Sequence, residues 1–321
     1  MRCVSLNGET HDGFAADGRV EGRCVLCGSR QAPEPVIEAP DAHGACLLSG
    51  ELFRLVRCRG CRIIYIDPCP EASRLKACYD RGYYRRAGVL ATLEKAFTSF
   101  SNARKRALIE RFARGGRILD VGCGDGSFLE SFIGRKGWKA YGVEPSAAGH
   151  KLTKAKGIRV FRSELCQCGF PEGHFDAVTM WHVLEHASDP VRLLKEARRV
   201  LAPNGVFVLG IPNIKGAGFA LGGNRWFHLD APRHLFHYDS ESASFALMKA
   251  GLKPVKVSYP VMEYPLDLYH SVTGALRPRS MKIALAPVVL ALSLGAKPVL
   301  SVMKASETMF IICRKDKKNG D

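Results

Sequence analysis

Between Gly116 and Arg314 the apolar positions switch repeatedly between short unbroken runs and a helical period. Arg117–Val121 predicts a strand, which ends in Gly122-Cys123-Gly124-Asp125-Gly126 before a helix begins over Ser127–Ile133. Lys139–Val143 predicts a second strand, ending in Glu144-Pro145, then a helix over Ala147–Ala155 and a third strand over Ile158–Phe161. Asp176–Met180 predicts a fourth. Val191–Leu201 has the 3.6-residue period, with Leu194, Ala197 and Leu201 inward and Arg192, Lys195, Glu196 and Arg199 outward. Asn204-Gly205 turns into a fifth strand, Val206–Ile211, and Pro254–Tyr259 and Thr308–Arg314 predict two closing strands. Such alternation predicts an α/β fold with a doubly wound parallel sheet.

Upstream the pattern is different. Residues 1–22 read as a flexible polar lead without an apolar signal segment. A cysteine module occupies 23–70 and ends at Asp67-Pro68-Cys69-Pro70. A helical connector fills 71–115, its helix expected over Ser101–Arg114 with Ala107, Leu108 and Phe112 on one face and Arg and Lys on the others. The α/β domain then spans 116–315.

Of the 12 cysteines, four form matched pairs, Cys24-Val25-Leu26-Cys27 and Cys58-Arg59-Gly60-Cys61. Two intervening residues let both thiolates of a pair reach one ion, and two pairs complete a tetrahedral S₄ shell with no position left for water. The expected ion is a structural Zn²⁺; four free or redox-active thiols are the alternative. Gly28 and Gly60 stand where such turns need a backbone without Cβ, and His43 or Cys46 could replace a ligand. The other cysteines have no ligand spacing and read as small buried hydrophobes.

Ligands of doubly wound sheets bind beyond the carboxyl ends of the strands. The Gly122–Gly126 loop lies there, and Glu144 follows Gly122 by 22 residues, where an acid can accept hydrogen bonds from both hydroxyls of a ribose. The glycine spacing is G-x-G-x-G, not the dinucleotide G-x-G-x-x-G. The stretch Leu119–Leu129 resembles the first motif of class I S-adenosylmethionine-dependent methyltransferases. The resemblance continues through Val143-Glu144-Pro145-Ser146, Phe175–His186 and Ala202–Pro212. The paired cysteines followed by Asp-Pro-Cys-Pro resemble bacterial small-molecule methyltransferases that carry an N-terminal zinc-binding, ribbon-like module.

The resemblance implies a Rossmann-like sheet and S-adenosyl-L-methionine as cofactor. It assigns Asp120, Gly122, Cys123, Gly124 and Gly126 to the methionine portion, and Glu144, with Pro145, to the ribose. Glu164 and Leu165 would flank the adenine, although the family's usual Asp is missing there. Met180 and Trp181 would lie beside the sulfonium, with a core role for Trp181 as the alternative. An acceptor nucleophile can need a base near neutral pKa. His182 and His186 follow the fourth strand, and His234 lies in Trp226–Tyr238 after the fifth; each could instead cap or brace a loop. Arg225 and Arg233 could hold an anionic group on the acceptor.

Lys plus Arg outnumber Asp plus Glu 47 to 31, a net +16, but the basic residues are scattered as on a solvated surface. The 46% hydrophobic content excludes wholesale disorder. A small-molecule acceptor (sugar, lipid-linked or another secondary metabolite) is the expected partner. RNA is the rival, but Met180-Trp181-His182-Val183 stands where amino-group methylases carry Asn/Asp-Pro-Pro-aromatic. A non-catalytic cofactor-fold binding protein and a dehydrogenase are further alternatives. No uninterrupted apolar stretch reaches the ~18–20 residues of a membrane span, so a cytoplasmic protein is expected. Within an insertion at 261–306, residues 283–296 are apolar for fourteen residues, with Pro287 expected to kink them. They read either as a lid over the substrate or as a peripheral membrane contact.

Overall fold

The computed structural model describes residues 2–4, 10–12, 23–41, 51–71, 74–75, 78 and 91–315. His43, Cys46, most of the 1–22 lead and residues 79–90 of the connector lie outside the described residues. Arg2–Val4 (β1) and Thr10–Asp12 (β2) pair as a short antiparallel ribbon.

A small antiparallel sheet follows, built from Glu34–Pro40 (β3), Leu52–Arg57 (β4) and Ile64–Ile66 (β5). Phe53, Leu55, Ile64 and Ile66 bury one of its faces against Trp226, Leu229 and Ala231. Its edge is completed from far along the chain, by Phe236–His237, which pairs with Ile64 and Tyr65. The connector helix, Ala91–Glu110 (α1), starts ten residues earlier than expected and ends before Phe112. Its inner stripe is Ser101, Asn102, Lys105 and Ile109; Leu108 and Phe112 pack beside Ile109 as expected, while Ala107 is exposed, which corrects its place on that face.

The large sheet forms from Gly116–Val121 (β6), Trp138–Val143 (β7), Arg159–Phe161 (β8), Phe175–Trp181 (β9) and Leu201–Pro212 (β10). Two more strands, Leu252–Ser258 (β12) and Thr308–Lys315 (β13), close it in the order β12-β13-β10-β9-β6-β7-β8, and β11 is Phe236–His237 in the small sheet. The five central strands are parallel and the two closing pairings are antiparallel. The Asn204-Gly205 turn is absorbed into β10 as a register shift between Leu201 and Val206.

Ser127–Glu130 (α2), Ala147–Ala155 (α3) and Pro190–Val200 (α4) cover the sheet. The start of α4 is set by Pro190 in its first turn and by Asp189, whose side chain accepts from Arg192 N at 2.9 Å. Its buried stripe, Val191, Leu194, Ala197 and Val200, repeats at three- and four-residue steps and packs on Phe175 and Phe207 of the sheet. Truncating a fully buried Leu194 to Ala would cost about 2–5 kcal/mol. Ala217–Gly222 (α5), Ser240–Lys249 (α6), Asp267–Ala275 (α7) and Arg279–Val302 (α8) complete the described helices. Helix α8 continues through Pro287 and Pro298 for 24 residues. It is long and apolar enough to cross a membrane by length and composition only, since Lys282 and Lys297 interrupt the apolar run but not the helix.

Candidate active site

Strand β6 is the point where the chain's strand order reverses, with β7 and β8 on one side and β9 and β10 on the other. A crevice forms at the carboxyl ends of such strands. Asp120 pairs with Gly142 of β7 and Thr179 of β9, so the three strands end level. Gly122 and Gly124 have φ of +69° and +56°, and a Cβ at Gly122 would stand 2.6 Å from Val183 Cγ2. Only glycine can turn there and leave the backbone open to a ligand. Glu144 is buried at the end of β7 and spans the loop: Oε2 accepts from Gly124 N and Oε1 from Ser146 N, both at 2.9 Å. Each oxygen keeps a second lone pair, so two adjacent hydroxyls can still bond to it. The cradle therefore fits an adenosyl ribose.

The remaining expected cofactor residues spread along the same edge. Asp120 is only 3% exposed and accepts from Thr179 Oγ1 at 2.7 Å; burial pushes its carboxyl up to about 7. Cys123 is buried in the loop, and burial raises its thiol. Pro145 is half-buried, Leu165 is buried, and Glu164 precedes the turn Leu165–Gln167 after β8, one strand further out. Met180 is fully buried. Trp181 is half-buried, edge-on between Phe128 and Phe310 at 5.3 and 5.0 Å, and Lys105 Nζ lies 4.5 Å from its ring centroid.

Immediately beyond β9, His182 adopts φ of +55°, a conformation uncommon for a side chain with Cβ, and its N–H donates to Gly210 O at 2.8 Å. Its Nδ1 lies 3.3 Å from Glu185 Oε1 and its Nε2 3.2 Å from Glu263 Oε1. Lys105 Nζ meets the same Glu263 oxygen at 2.7 Å. Burial alone would lower the His182 imidazole, but Glu263 and Glu185 outweigh it and push it up to about 9. Glu185 is buried too, yet His182 holds it down to about 2. Since the folded value exceeds the ordinary 6.5, this cluster contributes stability that is complete below pH 6.5 and lost as pH rises to about 9. The melting temperature should fall across that window, and His182→Asn should flatten the slope; an unchanged slope would refute the pairing.

His186 and His234 shift the other way, toward the neutral imidazole. His186 Nδ1 donates to Arg233 O at 2.9 Å and His234 Nδ1 to His228 O at 2.8 Å, while His234 Nε2 lies 3.6 Å from Asp230 Oδ2. Burial and His234 lower His186 to about 4, and burial also lowers His234. Together with Glu185 they offer three ligand atoms within 4.8 Å of one another, a set suited to a proton or a divalent cation. Arg233 is engaged by Asp230 Oδ1 at 2.7 Å, whereas Arg225 is exposed.

The four cysteines of the N-terminal pairs converge. Cys24 and Cys61 sulfurs lie 3.7 Å apart, Cys27 and Cys58 sulfurs 3.6 Å, and all four are within 4.8 Å. Edges of an S₄ tetrahedron with bonds of about 2.3 Å measure about 3.8 Å, so the set fits zinc. The two turns are built alike: Gly28 N donates to Cys24 O and Arg62 N to Cys58 O, while Ser29 N and Gly60 N donate to the sulfurs of Cys27 and Cys58. The left-handed positions are Gly28 and Arg62, at φ of +80° and +65°. Arg62, not Gly60, is therefore the counterpart of Gly28, which corrects the expected pairing of the glycines.

Lys105, Glu263, Tyr264 and Asp267 were not legible as site residues. Lys105 comes from the connector and the other three from the insertion, where no spacing ties them to β9. Tyr264 packs edge-on against His182 at 5.1 Å, and Asp267 meets His228 Nε2 at 3.5 Å and Lys297 Nζ at 2.6 Å.

A family model described as methyltransferase domain matches residues 92–257. The ubiquinone biosynthesis O-methyltransferase of Xanthomonas oryzae pv. oryzae is 32% identical over 133 residues, covering 39% of this chain and 55% of that protein. The same-named Bradyrhizobium protein is 37% identical over 110 residues, covering 33% and 43%. The chain thus spans about half the length of the curated relatives it matches. Among solved structures, a SAM-dependent methyltransferase from Archaeoglobus fulgidus aligns at 22% identity and TM-score 0.49, over 71% of this chain and all of that one. With the family model covering half of its length, the chain belongs to the methyltransferase-domain family.

Proposed function

We propose that the enzyme methylates a hydroxyl of a small, largely apolar acceptor, with the cofactor in the crevice between the Gly122–Gly126 loop and Glu144. The observation that carries this reading is the placement of His182 at the end of β9, beside the level ends of β6 and β7. The relatives that align with this region are named O-methyltransferases, which favours an oxygen nucleophile. Bound in the crevice, S-adenosylmethionine supplies a methyl group already activated on a sulfonium.

The chain's own part is positioning and proton transfer. Glu144 orients the ribose, and the loop backbone lets the ligand approach. Trp181 and Tyr264 wall the acceptor side and exclude water. His182 keeps its Nδ1 proton on Glu185; its Nε2 proton passes to solvent beforehand, and the freed Nε2 takes the proton that the acceptor hydroxyl gives up. Lys105 then compensates the Glu263 charge once His182 is neutral. His186 and His234 brace the Trp226–Tyr238 segment through their carbonyl bonds.

Replacing Glu144 by Ala should weaken binding of S-adenosylhomocysteine at least about tenfold, because charge-assisted bonds to both hydroxyls are lost. Calorimetric titration measures it, and unchanged affinity would contradict the ribose assignment. Assays with labelled cofactor against phenols, sugar nucleotides and lipid-linked sugars test the acceptor; transfer to an amine alone would overturn the oxygen reading. We also infer that Cys24, Cys27, Cys58 and Cys61 hold a structural zinc that staples the small sheet, whose edge strand β11 directly follows His234.

A further inference from the structure

Helix α8 is the largest feature that the transfer chemistry leaves unused. Its side chains Ser293 and Lys297 are buried against the body, and Lys297 Nζ bonds to Asp267 Oδ1 and Tyr264 O. On the opposite side Met281, Leu285, Val288, Leu292, Val299 and Val302 follow one another at three-, four- and seven-residue steps, which is one stripe of a helix. That stripe is turned to solvent: Leu292 is 67% and Val302 85% exposed. Residues 283–296 carry no charge at all, so the polar outer face of an ordinary surface helix is missing.

The charges nearby have one sign. From Leu268 through Ser306 there is no Asp or Glu, while Arg277, Arg279 and Lys282 stand at the start of the helix and Lys304 just past its end. A helix of 24 residues is about 36 Å long, so the basic groups sit at the two ends of a long uncharged stripe. An apolar stripe bordered by cations matches the interface of an anionic bilayer, where acyl chains take the stripe and lipid phosphates the ends. A second copy of the chain would bring the same positive charges face to face.

We propose that α8 lies in the plane of an anionic membrane and anchors the enzyme there through this outer stripe. The claim rests on the insertion alone and not on the reading of the active site. The Lys297–Asp267–His228 contacts join the helix to the ring that stacks on His182, with ring centroids 6.2 Å apart, so the anchored face adjoins the acceptor side.

The test is co-sedimentation of the full chain with vesicles of phosphatidylcholine alone or mixed with phosphatidylglycerol, alongside sedimentation velocity without lipid. The unsubstituted protein should pellet with the anionic vesicles. Val288→Glu combined with Leu292→Glu should lower the partition coefficient at least about tenfold, while S-adenosylhomocysteine still binds with unchanged affinity. That retained binding shows the variant is folded. Failure of the unsubstituted protein to bind vesicles, or vesicle binding indifferent to the two substitutions, would overturn the proposal. So would a dimer in lipid-free solution that the substitutions dissolve without any vesicle binding.

Discussion

Replacing His182 by Asn should lower kcat by about 10²–10⁴-fold, the usual worth of a positioned general base. Asn is the appropriate substitute because it tolerates the left-handed backbone that His182 adopts at φ +55°, so the loss reports the imidazole and not a broken turn. The pH profile separates this role from a merely structural one. A base must be deprotonated to act, and Glu263 and Glu185 hold His182 up to about 9 against its burial. The free enzyme's kcat/KM should therefore climb about tenfold per pH unit and level off near 9. Glu263→Gln removes one of the groups that raise the imidazole, so the limb should move to lower pH. A flat profile, or a limb indifferent to Glu263, would assign proton transfer elsewhere.

Zinc loss should have the larger effect on the folded state. Metal analysis should give about one zinc per chain, and Cys24→Ser with Cys27→Ser should abolish it. Binding to four thiolates contributes about 10–16 kcal/mol in small zinc modules, far more than three short strands gain by packing. The small sheet also shares its core with Trp226 and Leu229 and its edge with β11. Loss of the metal should therefore reach the His234 segment, lowering activity as well as the melting temperature. A metal-free preparation with full stability and activity would refute the zinc staple.

What the sequence made legible, and what it did not, follows from the range of the interactions. The parallel strands, the glycine loop and Glu144 all lie within one local pattern of apolar runs and turns, so the crevice could be read residue by residue. The second sulfur pair was readable because its spacing repeats the first. The partners of His182 were not. Lys105 looks like one more outward base on a basic helix, and only the fold turns it over Trp181 and onto Glu263. Glu263 and Asp267 open an insertion whose apolar composition concealed the buried charges beside it. The completion of the small sheet by Phe236–His237 was equally hidden, since a two-residue strand has no periodicity to detect. Arg62 at a left-handed position has no signal either, because the usual one is glycine.

The central claim is that the edge between Asp120 and Glu144 receives the adenosyl group of the cofactor. A crystal structure with S-adenosylhomocysteine tests it most directly. The account predicts both ribose hydroxyls within hydrogen-bonding distance of the Glu144 carboxylate, with the sulfur on the side of Trp181 and His182. A nucleoside bound elsewhere, or a crevice that stays empty at saturating ligand, would contradict it.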